Sequence, residues 1–181
     1  MPVNRVQHVN FEGYDAVELS APRLKVIVLP RFGGKLISLR DTKNDREWLW
    51  QNPFRPLSEP AFGSPYDEWD MSGFDECLPT IAECKYPFAP WSGTALPDHG
   101  EVWATPCDYE VGEDGTLRLE VLGRTLPYKF TKRIAVSGNS LLQEYGIENL
   151  SREPLHFAWS AHPILRAEPG MKIEAPDVKT V

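Results

Sequence analysis

Apolar and polar residues alternate along most of the chain. Period-two runs bounded by turn residues fall at 16–20, 24–29, 35–40, 47–50, 101–105, 107–111, 116–122, 128–137, 140–149 and 155–162. That spacing sends successive side chains to opposite faces of an extended strand. The tetrapeptides GEDG at 112–115 and SGNS at 137–140 read as hairpin connections, and the second sets two long strands side by side, antiparallel. No stretch holds apolar residues at i, i+3, i+4 and i+7, so helices should be short and few. The pattern predicts an all-β, antiparallel protein.

One stretch breaks the alternation. Residues 51–97 carry prolines at 53, 56, 60, 65, 79, 87, 90 and 97, with rings at Phe54, Phe62, Tyr66, Trp69, Phe74, Tyr86, Phe88 and Trp91. A solvated linker does not carry so many rings, which need somewhere to bury. The stretch reads as a long irregular insertion forming the wall of a binding site, against the plainer alternative of a loop packed on itself.

Composition narrows the class. With 181 residues the chain is expected to form a single domain over 1–181. Lys and Arg number 19 against 26 Asp and Glu, a net charge of −7. No global positive field exists to hold a nucleic-acid backbone or an anionic membrane, so neither is an expected partner. Three cysteines argue against a disulfide framework, and none forms a CxxC pair. The N-terminus shows no apolar leader, and the longest apolar run, VIVL at 26–29, is far short of a span. The expected location is cytoplasmic.

Two runs could carry chemistry. In LPDHGEVW at 96–103, an extended chain would put His99, Glu101 and Trp103 on one face. An imidazole, a carboxylate and a flat apolar ring together suit a sugar, and Gly100 would let it approach. The plainer reading is a loop histidine and a surface glutamate beside a core tryptophan. In LHFAWSAHPI at 155–164, alternation sorts Leu155, Phe157, Trp159 and Ala161 to an apolar side expected in the core. His156, Ala158, Ser160 and His162 fall on the other side, with two imidazoles flanking small residues, and Pro163 ends the ladder after His162. No HxH or HExxH spacing occurs, and no GxSxG elbow, so neither a metal nor a serine nucleophile is expected.

These runs also resemble a known family. LPRFGGKLISL at 29–39, GFDECLP at 73–79, LPDHG at 96–100, YGIENL at 145–150 and AHP at 161–163 follow the order of motifs in the galactose mutarotase-like (aldose 1-epimerase) superfamily. The resemblance implies a large antiparallel β-sandwich, a supersandwich, with a sugar site, no cofactor and an isomerase activity that interconverts the α and β anomers of an aldose. Carried over by motif, His162 would be the general acid and His99 would bond the ring oxygen or a neighbouring hydroxyl. From the residues themselves, apart from the resemblance, Asp75, Glu76, Glu101, Trp103 and His156 are expected to bind substrate.

The departures from the family are informative. His162 is followed by Pro-Ile-Leu where the family usually has an aromatic. No arginine stands just before Gly73, which disfavours a phosphorylated sugar. The family's general base is a glutamate near the end of a considerably longer chain, so this sequence is expected to cover the front half or somewhat more of the domain. Glu101, Asp75 and Glu76 are the resident substitutes. A truncated sandwich would expose sheet edges able to pair with a second copy. Two other readings remain: a non-catalytic carbohydrate-binding sandwich that lacks the base, and a metal-dependent sugar isomerase of barrel type using His99, Glu101 and His162.

Overall fold

The structure, a computed structural model, describes residues 5–172 and 174. Its strands in chain order are β1 (Arg5–Phe11), β2 (Tyr14–Ala21), β3 (Leu24–Leu29), β4 (Lys35–Asp41), β5 (Arg46–Glu47), β6 (Phe74–Cys77), β7 (Cys84–Lys85), β8 (Ala95–Leu96), β9 (Asp108–Val111), β10 (Leu117–Leu122), β11 (Tyr128–Ser137), β12 (Ser140–Asn149) and β13 (Ser160–Pro163). One sheet runs β1-β2-β3-β4-β6-β13, with β5 added on β4. The other runs β12-β11-β10-β9, and β7 pairs with β8. Every strand pairing is antiparallel. Among the described residues the only helices are three 3-10 turns, at Pro30–Phe32, Tyr66–Glu68 and Val102–Ala104. None is long and apolar enough to cross a membrane.

Alternation explains how the sheets face each other. Along β11, Tyr128, Phe130, Lys132, Ile134 and Val136 are buried, and along β10 so are Leu117, Leu119 and Val121. Leu117, Leu119, Ile134 and Val136 pack against Val17, Leu19, Val26, Val28 and Leu36 of the first sheet. Fully burying each such side chain stabilises the fold by about 1.5–3 kcal/mol. The predicted sandwich is therefore present. A second cluster, of Leu78, Tyr86, Leu96 and Val102 on Val121, Tyr128 and Phe130, anchors the irregular stretch to the second sheet.

Three local expectations are corrected. Residues 101–105 are not a strand: Glu101 has helical dihedrals and Val102–Ala104 coil into a 3-10 turn. The run 155–162 joins a sheet only from Ser160. Phe157 and Trp159 are 49% and 37% exposed rather than core, because they precede the ladder that would have buried one face. Strands β1 and β6, which the pattern did not predict, complete the first sheet.

Candidate functional site: a histidine pair beside strand β6

Strand β6 is four residues long and positions most of the candidate chemistry. Its partner β13 sets His162 opposite Asp75 and Ser160 opposite Cys77. Backbone bonds extend that register on either side, from the Ile164 amide to the Gly73 carbonyl and from Ala158 to Pro79, 2.8 and 2.9 Å. The other histidine arrives by a turn. The amide of Glu101 donates to Leu78 O at 2.7 Å and that of His99 to Ile81 O at 2.9 Å. Gly100 makes this approach possible: a Cβ there would lie 2.1 Å from Leu78 O, and its φ is +72°. His99 itself sits at φ 57°, in the left-handed region.

The two imidazoles meet, with ring centroids 5.0 Å apart. Tyr66 holds both. Its ring stacks on His99 at 4.4 Å and meets His162 edge-on at 5.2 Å. Its hydroxyl donates to Asp75 Oδ2 and its amide to Asp98 Oδ2, each at 3.0 Å. Trp103 lies behind Tyr66, edge-on at 5.0 Å and 2% exposed. It therefore backs the cluster and is too deep to be a sugar platform.

Buried charges surround this cluster. Lys35 lies 3.1 Å from Asp70 and 3.4 Å from Asp75. Burial pulls its ammonium down, but attraction from Asp75 and Asp70 outweighs it and the pKa is raised. Burial pushes the Asp75 carboxyl up to about 6 against the pull of Lys35, with Glu76 and Asp70 adding to the rise. Asp98 goes the other way: burial opposes it, yet the Tyr66 amide and His99 hold its carboxyl below the ordinary range. His99 Nδ1 is 3.0 Å from Asp98 Oδ2, an ion-pair distance, although its N–H is not lined up for a hydrogen bond. Burial, helped by His99 and Lys35, lowers the pKa of His162. Burial and the neighbouring carboxylates push the Cys77 thiol up to about 12.

Alternation along β6 separates two residues that the sequence grouped together. Asp75 faces the histidines, whereas Glu76 points between the sheets and is 0% exposed. There it accepts from Lys132 Nζ at 2.7 Å and from Tyr145 at 3.0 Å. Glu101 is also withdrawn: its carboxylate accepts from the amides of Arg124 and Thr125 and from the Tyr128 hydroxyl, at 3.0, 3.1 and 2.8 Å. It thus shares no face with His99, and among the described residues no cluster of metal-ligating side chains includes it. His156 is exposed and rests on Phe88 at 4.2 Å, apart from the pair, because no strand carries its face on to His162. Reading the sequence placed Tyr66 only among the rings of the 51–97 wall, and it missed Lys35 and Cys77 as neighbours of the pair. Lys35 had a signal, a lysine opening an apolar strand directly after two glycines.

An open groove of about 640 Å³ crosses the second sheet, lined among others by Glu110, Arg118, Thr131, Arg133 and Glu144. Its charges neutralise one another, Arg133 with Glu144 and Asp114, and Arg118 with Glu110. It offers no convergent acid or base, so the histidine pair is the candidate site.

No protein-family model matches the sequence, and no curated protein matches it. Solved structures do match. A galactose mutarotase-like protein from Lactobacillus casei aligns with a TM-score of 0.67 at 16% identity, over 84% of this chain and 50% of its own. A galactose mutarotase related enzyme from Lactobacillus acidophilus gives 0.66 at 16%, over 87% and 51%. This is the galactose mutarotase-like fold. A further galactose mutarotase-like protein, from Clostridium acetobutylicum, gives 0.65 at 14% identity, over 90% of this chain and 54% of its own. The chain thus spans about half the length of the mutarotase-like structures it matches.

Proposed function

We propose that this chain carries the sugar-holding, proton-donating side of an aldose 1-epimerase-type site for an unphosphorylated aldose. The observation that supports it is the meeting of His99 and His162, 5.0 Å apart, on a mutarotase-like fold. Opening a sugar ring needs one proton delivered to the ring oxygen and one removed from the anomeric hydroxyl. An imidazole changes protonation near neutral pH, which suits reversible delivery. His162 is the donor, and His99 bonds the ring oxygen or the hydroxyl beside it. Tyr66 fixes both rings, Asp75 and Trp103 fix Tyr66, and Glu76, Glu101 and His156 take no part.

A second reading has its own support. Glu101 and Glu76 are bonded to protein groups and Asp75 is tied to Lys35 and Tyr66. None of the three is free to take the anomeric proton. A carbohydrate-binding module without turnover fits that arrangement. Polarimetry of freshly dissolved α-glucose or α-galactose separates the readings. We expect slow mutarotation that falls by roughly 10²-fold or more in His162→Gln, with the thermal midpoint unchanged. Saturable sugar binding without any mutarotation selects the module. Wild-type rates in His162→Gln remove His162 as the donor.

A further inference from the structure

The same corner of the fold assembles a second chemistry. Cys77, His99 and His162 each offer one ligand atom, and these atoms all lie within 4.8 Å of one another. A thiolate with two imidazoles is a donor set that soft divalent cations take. Bonds of about 2.3 Å to sulfur and about 2.1 Å to nitrogen place such atoms about 3–4 Å apart, so closure of about 1 Å completes the set. Two further observations point to a ligand. Nδ1 of His162 is buried without a hydrogen-bond partner, an uncommon state for a buried nitrogen. Asp98 stands 3.0 Å behind the His99 ring, where a carboxylate orients a metal-binding imidazole. The ligands also come from two adjoining strands and a turn tied by backbone bonds to the residues that follow β6.

We propose that Cys77, His99 and His162 bind a soft divalent cation such as Zn2+, with a fourth position open, and that cation and sugar exclude one another because both need the two imidazoles. Binding exchanges the thiol proton for the ion, and that proton leaves to solvent. The exclusion rests on the sugar reading given above, but the ion site does not.

Co2+ is the probe, because its absorption reports ligands directly. Titration of the full chain should give one saturable equivalent with a near-ultraviolet thiolate-to-cobalt band. Cys77→Ser should abolish the band, and His99→Gln or His162→Gln should each weaken binding at least about tenfold. Cys84→Ser, at an exposed cysteine, should leave it unchanged. A band that survives Cys77→Ser, or that is lost in Cys84→Ser, places the ion elsewhere and overturns the site, as does the lack of any saturable band. Should Cys77→Ser fail to fold by circular dichroism, unchanged binding in both histidine variants overturns it equally. Galactose added to the cobalt form should bleach the band competitively. A band indifferent to sugar, in protein shown separately to bind sugar, overturns the exclusion alone.

Discussion

At the scale of single residues, Glu101 and Asp75 show how burial acts on two carboxylates with different partners. Glu101 accepts three hydrogen bonds from groups of the 124–128 segment. Removing an acceptor strands buried donors, which costs about 1–3 kcal/mol per group. Glu101→Ala should therefore lose about 2–4 kcal/mol in denaturant unfolding, while sugar affinity, per folded molecule, stays the same. A large loss of affinity at unchanged stability would return Glu101 to the site. Asp75 is the opposite case. Lys35, Asp70, Glu76, Tyr66 and the facing His162 surround it, and its carboxyl is pushed up to about 6 from an ordinary 3.8. A raised pKa means the folded state holds the proton longer than the unfolded chain does. The stability linked to this group is then present below pH 4 and lost as pH rises through about 6. Asp75→Asn should flatten that slope, and the difference between wild type and variant should change by at most about 3 kcal/mol from pH 4 to pH 7. Parallel pH curves for the two proteins would contradict the assignment.

At the scale of elements, the two sheets are joined by a charged bolt as well as by apolar packing. Lys132 of β11 occupies an inward position between Phe130 and Ile134, and its ammonium reaches Glu76 of β6 and the Gly34 carbonyl. Breaking a buried pair from one side leaves an uncompensated charge and costs about 3–5 kcal/mol. Lys132→Met should do this, whereas Lys132→Met combined with Glu76→Leu should recover most of the loss. Additive losses in the double variant would show that each side chain matters for its packing alone. The same strands show what was legible in the sequence. Residues 128–137 and 140–149 alternate cleanly, and their predicted bounds match the observed strands. Residues 101–105 alternate too, but the bond from Glu101 to Leu78 and the left-handed turn at His99 coil them instead. Strand β6 has four residues inside a proline-rich stretch, too few to show a period. Spacing could therefore pick out His99 and His162, but Tyr66 and Cys77 join them only through the pairing of β6 with β13 and the turn pinned to Leu78. A lysine at an inward position of a regular strand, as at 132, was the legible sign of a buried partner.

At the scale of the whole molecule, two surfaces compete for a ligand: the histidine pair beside β6 and the open groove across the second sheet. They differ in what a bound sugar would hold still. The pair is built from three separate stretches, around Tyr66, around His99 and at β13, joined by ring contacts and a few backbone bonds. Such junctions open locally at low cost, so a ligand bridging them should slow their amide exchange most. The groove lies on strands already laddered along their lengths, where Thr131 pairs with Gly146 and Arg118 with Glu110. We expect saturating galactose to slow exchange at Tyr66, at 99–101 and at 160–163, and to leave β9 to β12 as they were. Protection centred on Arg118, Arg133 and Glu144 would move the sugar to the groove and dissolve the case for His162 as a proton donor. Protection at the pair that vanishes in Tyr66→Ala but persists in Tyr66→Phe would show that the ring, rather than the hydroxyl held by Asp75, keeps the two imidazoles in place.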